Sequence, residues 1–293
     1  MNDFILRARS LSKKYGRVEA LREATFSLSR NKITAFLGEN GAGKTTTLKV
    51  ILGFLRPDSG AVEIGEGRVA YVPEHPVFFN WLRGNDIIVL TAQRYGIEKQ
   101  NLARRIDDLS EKISFDRRLL ERKILTYSLG NQKKFSYLQS LLISPDLLIV
   151  DEPFTALDPP SIKSVRDLFS ELKREGKTVF LSSHLVSEVE KICDEFIIIH
   201  QGYILIQQNL RWIKETYLLV RLEKNEVEGD KLKFFSSYLR EKNLFLEMLV
   251  EKSRLQELEK FLGRSISLDT KAQLDLEKIF FFFAGGTLKA SFR

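Results

Sequence analysis

Along roughly the first two thirds of the chain, short apolar runs alternate with apolar residues at helical spacing. Ile33 to Leu37, Val69 to Val72, Leu147 to Val150 and Thr178 to Leu181 are brief and almost continuously apolar. Such runs suit strands buried on both faces. Thr45 to Leu55 reads as a helix closed by Gly53 and Pro57. Ile162, Val165, Leu168, Phe169 and Leu172 recur at helical spacing, with charges opposite. The alternation predicts an α/β body with a largely parallel sheet covered on both sides. Residues 85 to 142 break the pattern. They are highly charged and helical in spacing, without a convincing strand, and read as a helical insertion. After Leu210 the texture changes again. Tyr217 to Leu222, Phe245 to Val250 and Ser265 to Leu268 read as strands, and Lys231 to Arg240, Ser253 to Leu262 and Leu274 to Phe283 as helices. The expected division is a body over 1–215 and a small α+β domain over 216–293. The run Phe280 to Phe283 is expected to be the buried end of a helix docked on the chain's own body.

Composition narrows the setting. The 293 residues are 43% apolar and 29% charged, a globular balance with ample surface charge. The one cysteine, Cys193, excludes an intramolecular disulfide and a multi-cysteine zinc module. Apolar runs such as Phe196 to Ile199 and Ile279 to Ala284 fall far short of the roughly 20 residues that span a bilayer. The first residues lack the basic segment and apolar core of a secretory signal. A net charge of +7 invites a nucleic-acid or anionic-membrane reading. Basic and acidic residues are interleaved, however, which equally suits a solvated surface. The densest basic groups, Arg104 with Arg105, Arg117 with Arg118 and Arg122 with Lys123, all fall in the helical insertion.

The chemistry starts at Gly38-Glu39-Asn40-Gly41-Ala42-Gly43-Lys44-Thr45, which fits G-x-x-x-x-G-K-[ST] between a predicted strand and a predicted helix. Glycines open backbone conformations that turn successive N–H groups into one concave nest. The nest and the following helix N-terminus suit a polyphosphate. Lys44 would reach the β and γ phosphates, and the Thr45 hydroxyl would ligate Mg²⁺. Leu147 to Val150 then delivers Asp151 and Glu152 to a strand end, where ligands sit in open α/β sheets. Asp151 would hold Mg²⁺ through water, and Glu152 would orient or deprotonate the attacking water. A kinase has no need of the second acid, so the pair favours hydrolysis. His184 follows the strand at Val179-Phe180-Leu181 on the same edge. Its expected task is contact with the γ-phosphate and the attacking water. His75 and His200 show no such placement.

In order, these parts resemble the nucleotide-binding subunit of an ATP-binding cassette (ABC) transporter, over nearly all of residues 4 to 215. Lys14-Tyr15-Gly16 is similar to the adenine-stacking segment, which implies Tyr15 as the stacking aromatic. Ala70-Tyr71-Val72-Pro73-Glu74 resembles the loop that senses Mg²⁺ and faces the membrane subunit. Tyr127-Ser128-Leu129-Gly130-Asn131-Gln132 resembles the family signature. Ala156-Leu157-Asp158 matches the loop after the catalytic acid. The resemblance implies a P-loop NTPase cassette in which Gly38, Asn40, Gly41, Gly43, Lys44, Thr45 and Thr46 hold ATP. Thr45, Glu74 and Asp151 would serve Mg²⁺. Ser128 and Gly130 would approach the nucleotide's phosphates across a dimer, and Asp158, also counted among the nucleotide-binding residues, would link the two active sites. The sequence departs from the family at Glu74, where glutamine is usual. Leu129 and Asn131 likewise stand where the signature has glycine and glutamine. Leu276-Glu277-Lys278-Ile279-Phe280, before Gly285 and Gly286, resembles the closing helix of a C-terminal domain found in ABC-2 type subunits.

One phosphate loop and one signature per chain imply a homodimer or a paired cassette subunit, head to tail around two ATP molecules. The resemblance further implies a separate transmembrane permease and a cytoplasmic place on the inner face of the membrane. No nucleic-acid partner is expected. The basic insertion suits anionic lipid or permease loops, or plain solvent. Two other classes remain open to the sequence: a soluble cassette ATPase in cofactor assembly, DNA repair or ribosome work, and a regulatory module that holds ATP without transport.

Overall fold

The computed structural model describes residues 3–223, 232, 235–236, 239–242, 244–266, 271–272 and 274–284. Its elements in chain order begin with β1 (Phe4–Tyr15), β2 (Val18–Ser29), β3 (Ile33–Leu37), α1 (Lys44–Ile51), β4 (Ser59–Ile64) and β5 (Val69–Val72). The helical insertion supplies α2 (Gly84–Arg94), α3 (Lys99–Lys112) and α4 (Leu129–Leu141). Next come β6 (Leu147–Asp151), α5 (Pro159–Arg174), β7 (Thr178–Ser183), α6 (Val186–Glu190), β8 (Glu195–His200), β9 (Tyr203–Asn209) and α7 (Leu210–Thr216).

A six-stranded sheet in the order β5-β6-β7-β3-β8-β9 forms the centre. Its strands run parallel except for the β8–β9 pair. Every residue of β3, β6 and β7 is buried, so these strands read as continuous apolar runs. The two faces still alternate. Ala35, Leu148, Val150 and Leu181 join the core beneath the helical insertion and α5. Phe36, Leu147, Ile149 and Phe180 join a second core with α1 and the N-terminal strands. There the rings of Phe26, Phe36 and Phe180 lie 5.4–6.0 Å apart, centre to centre, at the separations that aromatic clusters favour.

The antiparallel sheet β2-β1-β4 was not foreshadowed by the apolar pattern. Ser10 and Glu23 take left-handed φ angles of 47° and 49°, and the β1–β2 register shifts between Ala8 and Leu11. Bulges of this kind break the period of two. The predicted helix after the glycine loop is shorter than its pattern, because Leu52 caps α1 and Gly53 turns left-handed at φ 73°. On α5, Val165, Leu168, Phe169 and Leu172 are buried as their spacing requires, and the Asp158 carboxylate accepts from Ser161 N as N-cap.

Beyond α7 lie β10 (Tyr217–Glu223), β11 (Leu239–Lys242), β12 (Phe245–Glu251), α8 (Leu255–Leu262), β13 (Lys271–Ala272) and α9 (Leu276–Ala284). The strands pair in the order β11-β12-β10-β13. Val220, Leu222, Leu246, Met248 and Val250 form a third core with Leu258 of α8. Leu219 and Leu249 point the other way and join the main core, as do Ile279, Phe280, Phe282 and Phe283 of α9. The phenylalanine run therefore docks on the chain's own body, although Phe281 is exposed. Two expectations need correction. Leu239 and Arg240 belong to a strand, not to the end of a helix, because cross-strand partners at Met248 and Glu247 override the local spacing. Ser265 and Ile266 lie outside any strand. Ser267, Leu268, Gly285, Gly286 and most of the expected helix before Leu239 lie outside the described residues.

Candidate nucleotide site

Parallel pairing brings the C-terminal ends of β3, β5, β6 and β7 to one edge of the sheet. Gly38, Glu74, Glu152 and His184 follow those ends, and Asp151 is the last residue of β6. That edge is where open α/β sheets take their ligands.

The loop after β3 owes its shape to glycine at two positions. Gly43 has φ 112°, and a Cβ there would stand 2.5 Å from the Ala20 carbonyl oxygen. A Cβ on Gly38 would stand 2.7 Å from the Ile199 carbonyl oxygen. The loop is thus pressed against β2 and β8, and Gly202 N holds it from behind by donating to Ala42 O at 2.9 Å. Lys44 folds back inside. Its Nζ donates to Gly38 O at 2.7 Å and Glu39 O at 3.2 Å. Burial lowers the Lys44 pKa, while the negative charges of Glu152, Asp151 and Glu74 oppose that fall. A backbone cradle around a buried ammonium matches a polyphosphate.

Two serines, neither of them singled out by the sequence, hold the acids. The Ser182 hydroxyl donates to the Asp151 carboxylate. Glu152 is 6% exposed, and its Oε2 lies 2.9 Å from His184 Nδ1. Ser183 Oγ and His184 N also donate to that oxygen, at 3.4 Å each. Glu152 adopts φ 45°, a left-handed conformation that costs a non-glycine residue on the order of 1–3 kcal/mol and gathers at functional sites. His184 remains half exposed.

Lys133 of α4 was also missed. It is 1% exposed, and its Nζ donates to Pro73 O at 2.7 Å and Asp151 O at 2.8 Å. Burial pushes its pKa down to about 8, against the pull of Asp151, Glu74 and Glu152. A signal did exist. Lys133 lies four residues before buried Tyr137 and eight before buried Leu141, on the apolar stripe of its helix.

For magnesium, the donors expected from the sequence are the Thr45 hydroxyl and the Asp151 and Glu74 carboxylates. No preformed cluster of three or more His, Cys, Asp or Glu ligands exists among the described residues. Oxygen donors that few in number fit a cation arriving with phosphate, since Mg²⁺ usually keeps water and substrate oxygens as its other ligands.

The remaining expected residues stand apart. Tyr15 ends β1 and is half exposed. Ser128 caps α4 by accepting from Asn131 N at 3.3 Å. A Cβ on Gly130 would come within 2.7 Å of Ala156 O, so the signature abuts the loop that ends in Asp158. Leu129 points outward, 70% exposed. Among the described residues, no hydrogen bond or ion pair joins Tyr15, Ser128, Gly130 or Asp158 to the 38–46 loop. The basic insertion is partly neutralised, because Arg117 pairs with Asp107 and Arg118 with Asp116.

A family model described as ABC transporter matches residues 21–155. The chain is 35% identical over 213 residues to the bacitracin transport ATP-binding protein BcrA of Bacillus licheniformis, covering 69% of this chain and 68% of that one. It is 34% identical over 197 residues to an uncharacterised ABC transporter ATP-binding protein of Methanocaldococcus jannaschii, with 67% and 74% covered. A solved ATP-binding subunit of an ABC transporter shares the fold at TM-score 0.65 and 32% identity, over 72% of this chain and 92% of that one. A dimeric cassette solved with ADP and Pi shares the fold alone, at TM-score 0.65 and 19% identity over 70% and 99%. With the strand-edge acids and the glycine cradle in these positions, the chain belongs to the ATP-binding cassette family, the ATP-binding and ATP-hydrolysing subunits of ABC transporters.

Proposed function

We propose that this chain is the motor subunit of an ABC-2 type exporter and works at the inner face of the membrane on a separate permease. In this reading the backbone of Gly38, Asn40, Gly41 and Gly43 holds the phosphates. Lys44 gives up its loop carbonyls for the β and γ oxygens, the Thr45 and Thr46 hydroxyls face the phosphate edge, and Tyr15 stacks on the base. Bound magnesium, served by Thr45, Asp151 and Glu74, supplies charge neutralisation on the phosphates. Glu152 takes or orients the proton of the attacking water, and His184 holds Glu152 in place while presenting its free nitrogen toward the γ-phosphate. The observation that carries this reading is the Glu152 carboxylate, buried yet anchored 2.9 Å from His184 Nδ1 at the same strand edge as the glycine loop. A pure sensor needs neither residue.

Among the described residues no hydrogen bond or ion pair joins Ser128, Gly130 or Asp158 to the 38–46 loop, which supports a second copy or a paired cassette bringing them to the nucleotide. The boundary near Thr216 is supported by the end of α7 there and by the separate third core. The exporter assignment rests on the tail and on similarity to a relative named for bacitracin transport. No helix among the described residues is long and apolar enough to cross a membrane, and in this reading a separate permease supplies the pore. Glu152→Gln is expected to bind ATP, turn over at least tenfold more slowly and accumulate as an ATP-bound dimer on gel filtration. Unimpaired turnover would remove Glu152 from its role. Detergent extracts should yield the chain with a multi-span partner; purification without one would favour a soluble cassette ATPase.

A further inference from the structure

The structure assigns Lys133 as a positioning residue that fixes the two peptide groups leading into Glu74 and Glu152. Its ammonium donates to Pro73 O at 2.7 Å and to Asp151 O at 2.8 Å. These are the carbonyls immediately before the two acids. One side chain from the helical insertion thus ties the ends of β5 and β6 together from inside the protein.

The Asp151–Glu152 peptide is gripped at both ends. Lys133 holds its oxygen, and its N–H donates to Ser182 O at 3.0 Å. The orientation of that peptide defines the Glu152 φ angle of 45°. A left-handed non-glycine residue persists only where its surroundings over-determine it, and the two opposed hydrogen bonds do so here. The grip places the Glu152 carboxylate beside His184. The same ammonium sets positive charge within electrostatic reach of three acids, Asp151, Glu74 and Glu152. A buried charge that donates to two carbonyls is well satisfied, and removing it leaves both oxygens without a donor. Because Lys133 starts on the signature helix, a shift of α4 moves both acid-bearing peptides at once. Lys133 touches no reacting atom in this arrangement and acts through Glu152 and Glu74, so the inference rests on the roles proposed for them.

The test compares Lys133→Met with the wild-type chain and with Glu152→Gln, using single-turnover ATP hydrolysis, trinitrophenyl-ATP affinity and thermal melting. Lys133→Met is expected to lower the hydrolysis rate at least tenfold while nucleotide affinity stays within threefold, because the glycine loop and Lys44 are untouched. Lys133→Gln, whose amide ends one bond short of the two carbonyls, carries the same expectation should the methionine variant not fold. Wild-type turnover in either folded variant overturns the inference. Equal losses of rate and affinity also overturn it, since they mark a generally loosened site. Failure of both variants to fold overturns it too, by making Lys133 a requirement of folding. If Glu152→Gln itself hydrolyses ATP normally, the fault lies with the role given to Glu152 and not with the grip.

Discussion

The sheet edge around Lys44 and the small domain around β10 and β12 are built on opposite principles. At the sheet edge the strands are buried on both faces, and the proposed site is shaped by the backbone: left-handed glycines, strand ends and a left-handed Glu152. In the C-terminal region, by contrast, a short antiparallel sheet joins two cores, with Val220 and Met248 turned to one and Leu219 and Leu249 to the other. A polar pair, Arg221 and Glu247, bridges its strands at 2.7 Å. The first region spends stability on a cradle for ligand, and the second is chiefly packing. Damage to the first should thus appear as lost chemistry in an intact fold, and damage to the second as lost stability with chemistry retained.

The sharpest break comes from Phe283, fully buried on α9. Phe283→Ala should cost about 3–5 kcal/mol of stability, read by denaturant unfolding, while ATP affinity stays within threefold. A matching loss of affinity would show that the two regions work as one. Lys44→Ala should do the reverse. Losing charge-assisted bonds to phosphate should weaken ATP binding roughly 100-fold, with a melting temperature within a few degrees of wild type. Preserved affinity would place the grip in the backbone alone.

A smaller effect probes the seam. Cys193 lies between α6 and β8, the two elements on which α9 packs, and Leu276 N donates to Glu190 at 3.1 Å beside it. Burial pushes the Cys193 thiol up from 9.0 to about 12. The fold then holds that proton more tightly than the unfolded chain does. The thiol's contribution to stability is present below pH 9 and is lost as pH rises from 9 towards 12. At pH 9 iodoacetamide should label native Cys193 at least tenfold more slowly than the urea-unfolded chain, and truncation after Leu274 should remove much of that protection. Equal labelling before and after truncation would separate Cys193 from the docking of α9.

How far the sequence could be read differs between the two regions for physical reasons. The glycine loop, Asp151, Glu152 and His184 could be placed on one strand edge from the sequence, because phosphate chemistry demands residue types at fixed spacing beside strands, and the parallel pairing brings them there. Their supports were not. Ser182 and Ser183 look like ordinary strand-end residues, and Lys133 beside Lys134 looks like surface charge, although its stripe with Tyr137 and Leu141 says otherwise. The β1–β2 pair was hidden by the bulges at Ser10 and Glu23. Leu239 was misread because its strand is made by partners in β12, which local spacing does not reveal.

The position of β3 in the middle of its sheet also sets a timetable for synthesis. Ile33 pairs with Val179 and Thr34 with Glu195, so the strand that carries the glycine loop leaves the ribosome well before either neighbour. At 5–20 residues per second the wait is about 7–30 s. Contacts this distant in the chain are slow to form. Through that interval the Gly38–Thr46 segment has the sequence of a nucleotide cradle without the supports at Ile199 and Gly202 that shape it. ATP binding is therefore a late event in the life of the nascent chain.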